Sequence, residues 1–132
     1  RGGGRAHGYF SNRAALAVES KGAQDYGSQA DRAVETLSRA QLAREFPDDA
    51  FLGEESSSSV SGDEEHLWIV DPIDGTHNFL RGAHYYCVSI AYTQRGRREL
   101  GVVCDPEHDE LFHARRGHGA FQRLPPAHIT SF

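Results

Sequence analysis

Apolar and polar positions along this chain change period from one segment to the next. Between residues 28 and 46, Ala30, Ala33, Val34 and Leu37 recur at steps of three and four, and Leu42 lies close to the same face. That spacing lines one side of a helix and predicts one from Ser28 to Phe46. Ser28 followed by Asp31 fits a capping box with Asp in place of Glu. Pro47 stops the helix because it has no N–H to donate. Upstream, Arg5 to Phe10 reads as the end of a helix. Ala15 to Ser20 alternates weakly and predicts a strand, and Lys21 to Tyr26 reads as a polar, Gly-containing loop.

Downstream the apolar runs are short. Ala50 to Gly53 predicts one strand and Leu67 to Val70 a second, buried one. Tyr85 to Thr93 and Glu99 to Cys104 predict two more, joined around Arg95-Gly96. Both are apolar on both faces, which suits central strands covered by helices. A two-residue turn there sets Cys87 opposite Cys104. Glu110 to Arg115 is a further strand, and Gly117 and Gly119 turn the chain into a last one. Leu124 to His128, with two prolines, breaks regular structure. A helix followed by several strands predicts an α+β fold with an antiparallel or mixed sheet flanked by helices.

The second of these runs ends unusually. Leu67-Trp68-Ile69-Val70 passes into Asp71-Pro72-Ile73-Asp74-Gly75-Thr76. Asp71-Pro72 and Asp74-Gly75 are turn signals, and Thr76 can cap a short helix through Leu80. Two carboxylates, a free carbonyl and a helix N-terminus then converge where a strand stops, as a divalent cation and a phosphate require. Glu54 follows another apolar strand, and Asp31 lies near a helix start. With Asp71 and Asp74 they form an oxygen-only set without the Cys/His spacing of zinc, which suits Mg2+. Each acid also has a structural alternative: Asp31 as a cap, Glu54 as an exposed loop acid, Asp71 and Asp74 as turn formers.

The bulk numbers narrow the class. The chain has 132 residues, 38% hydrophobic and 25% charged, which suits one globular domain. The net charge of −5 offers no basic footprint for nucleic acid. No apolar run reaches membrane-spanning length. Two cysteines make no disulfide framework, so free thiols and a cytoplasmic location are expected.

These motifs resemble the inositol monophosphatase family, Mg2+-dependent and lithium-sensitive sugar phosphatases. The resemblance rests on Gly53-Glu54-Glu55 and on Trp68 to Thr76 with Asn78-Phe79. Lys21, Asp25, Asp31-Arg32-Ala33-Val34-Glu35, Val88-Ser89-Ile90-Ala91, Gly101-Val102-Val103 and Gly117 to Phe121 support it. It runs from about Ala15 to Phe121 and implies the N-terminal portion of a layered α/β/α/β/α fold. Residues 1–121 are then an N-terminal metal-binding domain, and residues 122–132 a divergent tail.

By resemblance, Glu54, Asp71 and the Ile73 carbonyl hold a first metal. Asp71 bridges to a second, which Asp74 helps bind, and Glu54 reaches a third. Thr76, paired with Asp31, orients the attacking water, and the Gly75 and Thr76 N–H groups receive the phosphate. The implied reaction is Mg2+-dependent hydrolysis of a small phosphorylated substrate such as an inositol monophosphate. Fructose bisphosphate, a phosphoadenosine nucleotide and histidinol phosphate are alternatives. The family continues into a second α/β part with a Trp-Asp-x-Ala-Ala-Gly-like motif whose Asp completes the second metal site. That motif has no match here, where Trp68 is the only tryptophan. The chain therefore reads as a truncated portion, exposing apolar sheet surface and associating as a homodimer. A non-catalytic association module is the competing class.

Overall fold

The computed structural model describes residues 20–56, 60–124 and 128–131. Two helices are present among them, α1 (Ser20–Glu45) and α2 (Thr76–Arg81). The strands are β1 (Ala50–Gly53), β2 (Leu67–Asp74), β3 (Cys87–Gln94), β4 (Arg97–Asp105), β5 (Glu110–Arg115), β6 (Ala120–Leu124) and β7 (His128–Ser131). All seven join one sheet in sequence order. β1 and β2 run parallel, and every later neighbour pair is antiparallel. This is the α+β, mixed-sheet architecture that the pattern predicts. No helix among the described residues is long and apolar enough to cross a membrane.

The long helix departs from its predicted bounds. α1 begins at Ser20, so the expected loop Lys21–Tyr26 is helical. Ser28 and Asp31 therefore lie inside the helix, and the capping box does not form. Apart from Ser20, which opens α1, the strand expected at Ala15–Ser20 lies outside the described residues, as does the helix end at Arg5–Phe10. Close packing follows at Gly27, just beyond the extension. Gly27 is buried, and a Cβ there would come 2.8 Å from Leu80 Cδ2 of α2. A helical glycine costs about 1 kcal/mol relative to alanine. Here its missing side chain lets the two helices touch.

The buried stripe of α1 also differs from the apolar face predicted. Gly27, Ala30, Asp31, Val34, Glu35 and Ser38 are buried, at helical spacing, while Ala33, Leu37 and Leu42 are only half-buried. Ala30 and Val34 join Ile73 of β2, Phe79 of α2, Tyr86 and Val88 in the core, with Leu80, Ile90 and Cys104 packed against it. The Phe79 ring meets Tyr86 edge-on at 5.1 Å. Such a pair contributes about 0.5–1.5 kcal/mol beyond the area it buries.

Two bulges reset the register. β2 continues through Asp74 instead of ending at Val70, so Asp71-Pro72 lies within the strand and is not a turn. Asp71 pairs with Ser89 and Asp74 with Cys87, leaving two residues of β2 against one of β3. A bulge is where a strand tolerates proline, which has no N–H for the ladder. The second bulge lies in the β3–β4 hairpin. Arg95 and Gly96 both have positive φ, 50° and 73°, as a type I′ turn requires. Thr93 then pairs with Arg98 but Tyr92 with Leu100, which shifts the register by one at Glu99. Cys104 consequently faces Val88, not Cys87 as a regular hairpin predicts. Both cysteines are free.

β3 and β4 occupy the middle of the sheet, and Val103 of β4 is 36% exposed among the described residues. Regular structure also continues beyond Leu124, because β7 pairs with β6 from Leu124↔His128 to Phe121↔Ser131.

Candidate functional site

The parallel pairing of β1 and β2 creates the site. Gly53 is in register with Val70, and the Glu54 N–H donates to the Val70 carbonyl at 3.2 Å. The next residue on each strand is therefore an acid beside an acid, Glu54 and Asp71. In an uninterrupted strand, residues three apart face opposite ways. The bulge adds one residue between Asp71 and Asp74 relative to β3, and Asp74 acts electrostatically on Asp71. α1 brings the third component. Asp31 is 4% exposed on its buried stripe and feels the charges of Glu55, Asp71, Glu54 and Glu35.

The electrostatics are those of a charge cluster without a counter-ion. Burial is the main cause lifting the Asp31 carboxyl from its ordinary 3.8 to about 7, and the four neighbouring acids add to it. Asp71 rises from 3.8 to about 7 as well. Burial again leads, followed by the Glu54 carboxyl within hydrogen-bonding reach, and then by Asp74. The Ile73 N–H opposes the rise. Asp71 Oδ1 is a buried oxygen with no hydrogen-bond partner. A buried acceptor left unpaired costs about 1–3 kcal/mol, and more when charged. A bound cation would both pair that oxygen and remove the repulsion. With oxygen donors only, the residues fit a hard divalent ion such as Mg2+.

The structure also shows what is not brought together. Among the described residues no three acidic, His or Cys side chains already converge as a ligand set. Glu54 and Asp74 are exposed. Thr76 does not cap its helix. The N-cap is Gly75, with φ 96° and no side-chain cap bond. The Thr76 hydroxyl instead donates to the Ile73 carbonyl at 3.0 Å, and no hydrogen bond joins it to Asp31. Gly75 is required twice over. Its φ favours glycine, and a Cβ would come 2.8 Å from the Tyr85 carbonyl oxygen. Asn78 Nδ2 donates to that same oxygen at 3.0 Å, which fixes the backbone behind Gly75.

One polar group of the corner has no role in the sequence reading. Glu35 lies one turn beyond Asp31 on the buried stripe, and its Oε2 accepts the Glu55 N–H at 2.9 Å. Its signal was the four-residue spacing from Asp31, hidden because only apolar positions were used to locate the buried face. A cavity of about 820 Å3 among the described residues includes none of these acids. Phe46, Trp68, Tyr92 and Arg115 line it, on other parts of the sheet.

The chain is 46% identical over 106 residues to the inositol-1-monophosphatase of Rhizobium meliloti (strain 1021), covering 80% of this chain and 40% of that protein. It is 41% identical over 123 residues to the histidinol-phosphatase of Chlorobaculum parvum (strain DSM 263 / NCIMB 8327), covering 93% and 47%. The crystal structure of extragenic suppressor protein suhB from Bartonella henselae superposes with a TM-score of 0.77 at 39% identity. That match covers 92% of this chain and 46% of the other. The chain thus spans somewhat under half the length of these relatives. A model of the inositol monophosphatase family matches residues 1–130, and the chain belongs to that family.

Proposed function

We propose that this chain forms the metal- and phosphate-binding part of a Mg2+-dependent hydrolase of small phosphate monoesters. The observation that carries the proposal is Asp71: a half-buried carboxylate whose buried Oδ1 has no hydrogen-bond partner, held among Glu54, Asp74 and Asp31. Glu54, Asp71 and the Ile73 carbonyl would hold a first ion, and Asp74 would contribute to a second. When bound, Mg2+ supplies charge neutralisation and lowers the pKa of water. The residues of the chain do the rest. The Thr76 hydroxyl has its proton committed to Ile73, so its lone pairs are left to accept from a water and orient it. Asp31, buried beside the same acids, would take the proton from that water. The Gly75 and Thr76 N–H groups lie at a helix start without a side-chain cap, where a phosphate oxygen can be received.

Inositol monophosphate is the leading substrate class. A relative named histidinol-phosphatase keeps a second phosphate ester in view. The decisive measurement is release of inorganic phosphate from inositol 1-phosphate, with and without Mg2+, by this chain and by its Asp71→Asn variant. Mg2+-dependent release, lowered in the variant by at least the roughly 10–100-fold that loss of a ligand's support costs, is expected. Equal release with and without Mg2+ would sink the proposal. Two free thiols suit a reducing, cytoplasmic setting. Val103, Phe112 and Phe121 line an apolar groove of about 250 Å3 that favours a homodimer. Light scattering at one protomer mass across a concentration series would exclude the dimer.

A further inference from the structure

Glu54 lies just past the end of β1, in the segment that connects it to β2, so something must hold its backbone. β1 ends at Gly53, and the chain crosses from there to β2. Glu54 itself is exposed. α1 contacts the residues on both sides of it. The Glu35 carboxylate, 7% exposed, accepts the Glu55 N–H at 2.9 Å. Arg39, one turn further along α1, donates to Ser56 Oγ at 2.7 Å. The Arg39 guanidinium also stacks over the Phe51 ring at 4.2 Å, on the strand before Glu54. Arg39 Nη2 lies 3.8 Å from Glu35 Oε1, so the two clamp residues share charge. Gly53 makes the approach possible, because a Cβ there would overlap the Glu35 carboxylate.

We infer that Glu35, braced by Arg39, is a positioning residue for metal binding: it fixes the Glu54–Ser56 backbone so that Glu54 faces Asp71 across the ends of β1 and β2. This role rests on the proposed metal function. Glu35 touches neither metal nor substrate. It acts through the Glu55 N–H, with a charge-assisted hydrogen bond that is stronger than a neutral one. Supports of this kind typically set metal affinity by about 10–100-fold.

The test uses the 132-residue chain, with Mg2+ alone as the probe. Calorimetric titration should show Mg2+ binding weakened about 10–100-fold in Glu35→Ala, and largely restored in Glu35→Gln, whose amide oxygen can still accept the Glu55 N–H. Amide hydrogen exchange should show Glu55 protected in the wild type and in Glu35→Gln, and unprotected in Glu35→Ala. A thermal melt establishes that each variant is folded. If Glu35→Ala does not fold, Arg39→Ala takes its place, with Mg2+ affinity expected to fall in the same direction. Unchanged Mg2+ affinity in a folded Glu35→Ala overturns the role, whatever the Glu55 amide does. For Arg39→Ala as the stand-in, unchanged affinity does the same. A wild-type chain that takes up no Mg2+ overturns the metal reading itself, and the role with it.

Discussion

At the corner where α1 meets β1 and β2, buried groups repel one another. In the meander from β3 to β6, several charged side chains meet partners of opposite sign. The corner holds Asp31 and Glu35 on a helix stripe that would ordinarily be apolar, together with a buried oxygen on Asp71 that has no partner. In and around the meander, Arg116 meets Glu99 at 3.0 Å, His108 meets Asp105 at 2.8 Å, and Gln122 donates to Glu110 at 3.1 Å. The meander follows the rules that make a sheet stable. The corner breaks them at cost to the metal-free fold, which is the expected signature of residues kept for binding. The difference can be pushed with pH, with metal, and with single glycines.

The largest effect should come from titrating the corner. A carboxyl whose pKa rises on folding keeps its proton longer in the folded chain than in the unfolded one. Asp31 and Asp71 both rise from 3.8 to about 7. Between about pH 4 and pH 7 the folded, metal-free protein therefore binds more protons, and its stability falls as pH rises through that window. Mg2+ competes with those protons. At a hundredfold excess over Kd it should stabilise by about 2.7 kcal/mol, with more effect at pH 8 than at pH 5. Thermal melts at the two pH values, with and without Mg2+, read both signs. Asp71→Asn should flatten the pH dependence of the metal-free protein, raise its melting temperature at pH 8, and abolish the Mg2+ increment. Metal-free stability that rises from pH 5 to pH 8 would contradict the corner's electrostatics.

Legibility in the sequence divides along the same line. Ala50–Gly53, Glu110–Arg115 and the Arg95-Gly96 hairpin follow from apolar runs and turn chemistry, which are local. What failed depended on partners distant in sequence. α1 runs through Lys21–Tyr26 into Gly27, which packs on Leu80, a contact no local propensity contains. Cys104 misses Cys87 because of one bulged residue at Glu99, and hairpin arithmetic cannot see a bulge. The site acids were legible as residue types after strands, and the family motif sharpened them. The bulge that relates Asp74 to Asp71 was not legible, since Asp-Pro reads as a turn wherever it occurs. Glu35 was missed for the converse reason: a carboxylate on an otherwise apolar stripe looks like solvent-facing noise until the stripe is seen to be buried.

Glycine substitutions give the smaller effects, and they separate the two regions. Gly75→Ala strains a backbone at φ 96° and presses a Cβ to 2.8 Å from the Tyr85 carbonyl oxygen. The left-handed conformation costs about 1–2 kcal/mol for a non-glycine residue, and forced contacts add about 1–3 kcal/mol. Because that backbone also carries the proposed phosphate N–H groups, titration with inorganic phosphate in the presence of Mg2+ should weaken along with stability. A folded Gly75→Ala that takes up phosphate as well as the wild type would remove Gly75 from the site.

Gly96→Ala is the matching change in the meander. Its φ of 73° is equally left-handed, but the nearest atom to a new Cβ is Asp63 Oδ1 at 3.4 Å, an ordinary contact. Only the backbone cost of about 1–2 kcal/mol should then remain. The Arg95-Gly96 turn sets the β3–β4 register, and none of the acids of the corner lies on either strand. Urea denaturation should therefore show a lower midpoint with an unchanged slope, while Mg2+ titration and phosphate release per folded molecule stay at wild-type values. If Gly96→Ala lowered Mg2+ affinity as much as Gly75→Ala lowered phosphate uptake, strain in the meander would be reaching the corner. The two regions would then have to be treated as one cooperative unit instead of a stable frame carrying a strained site.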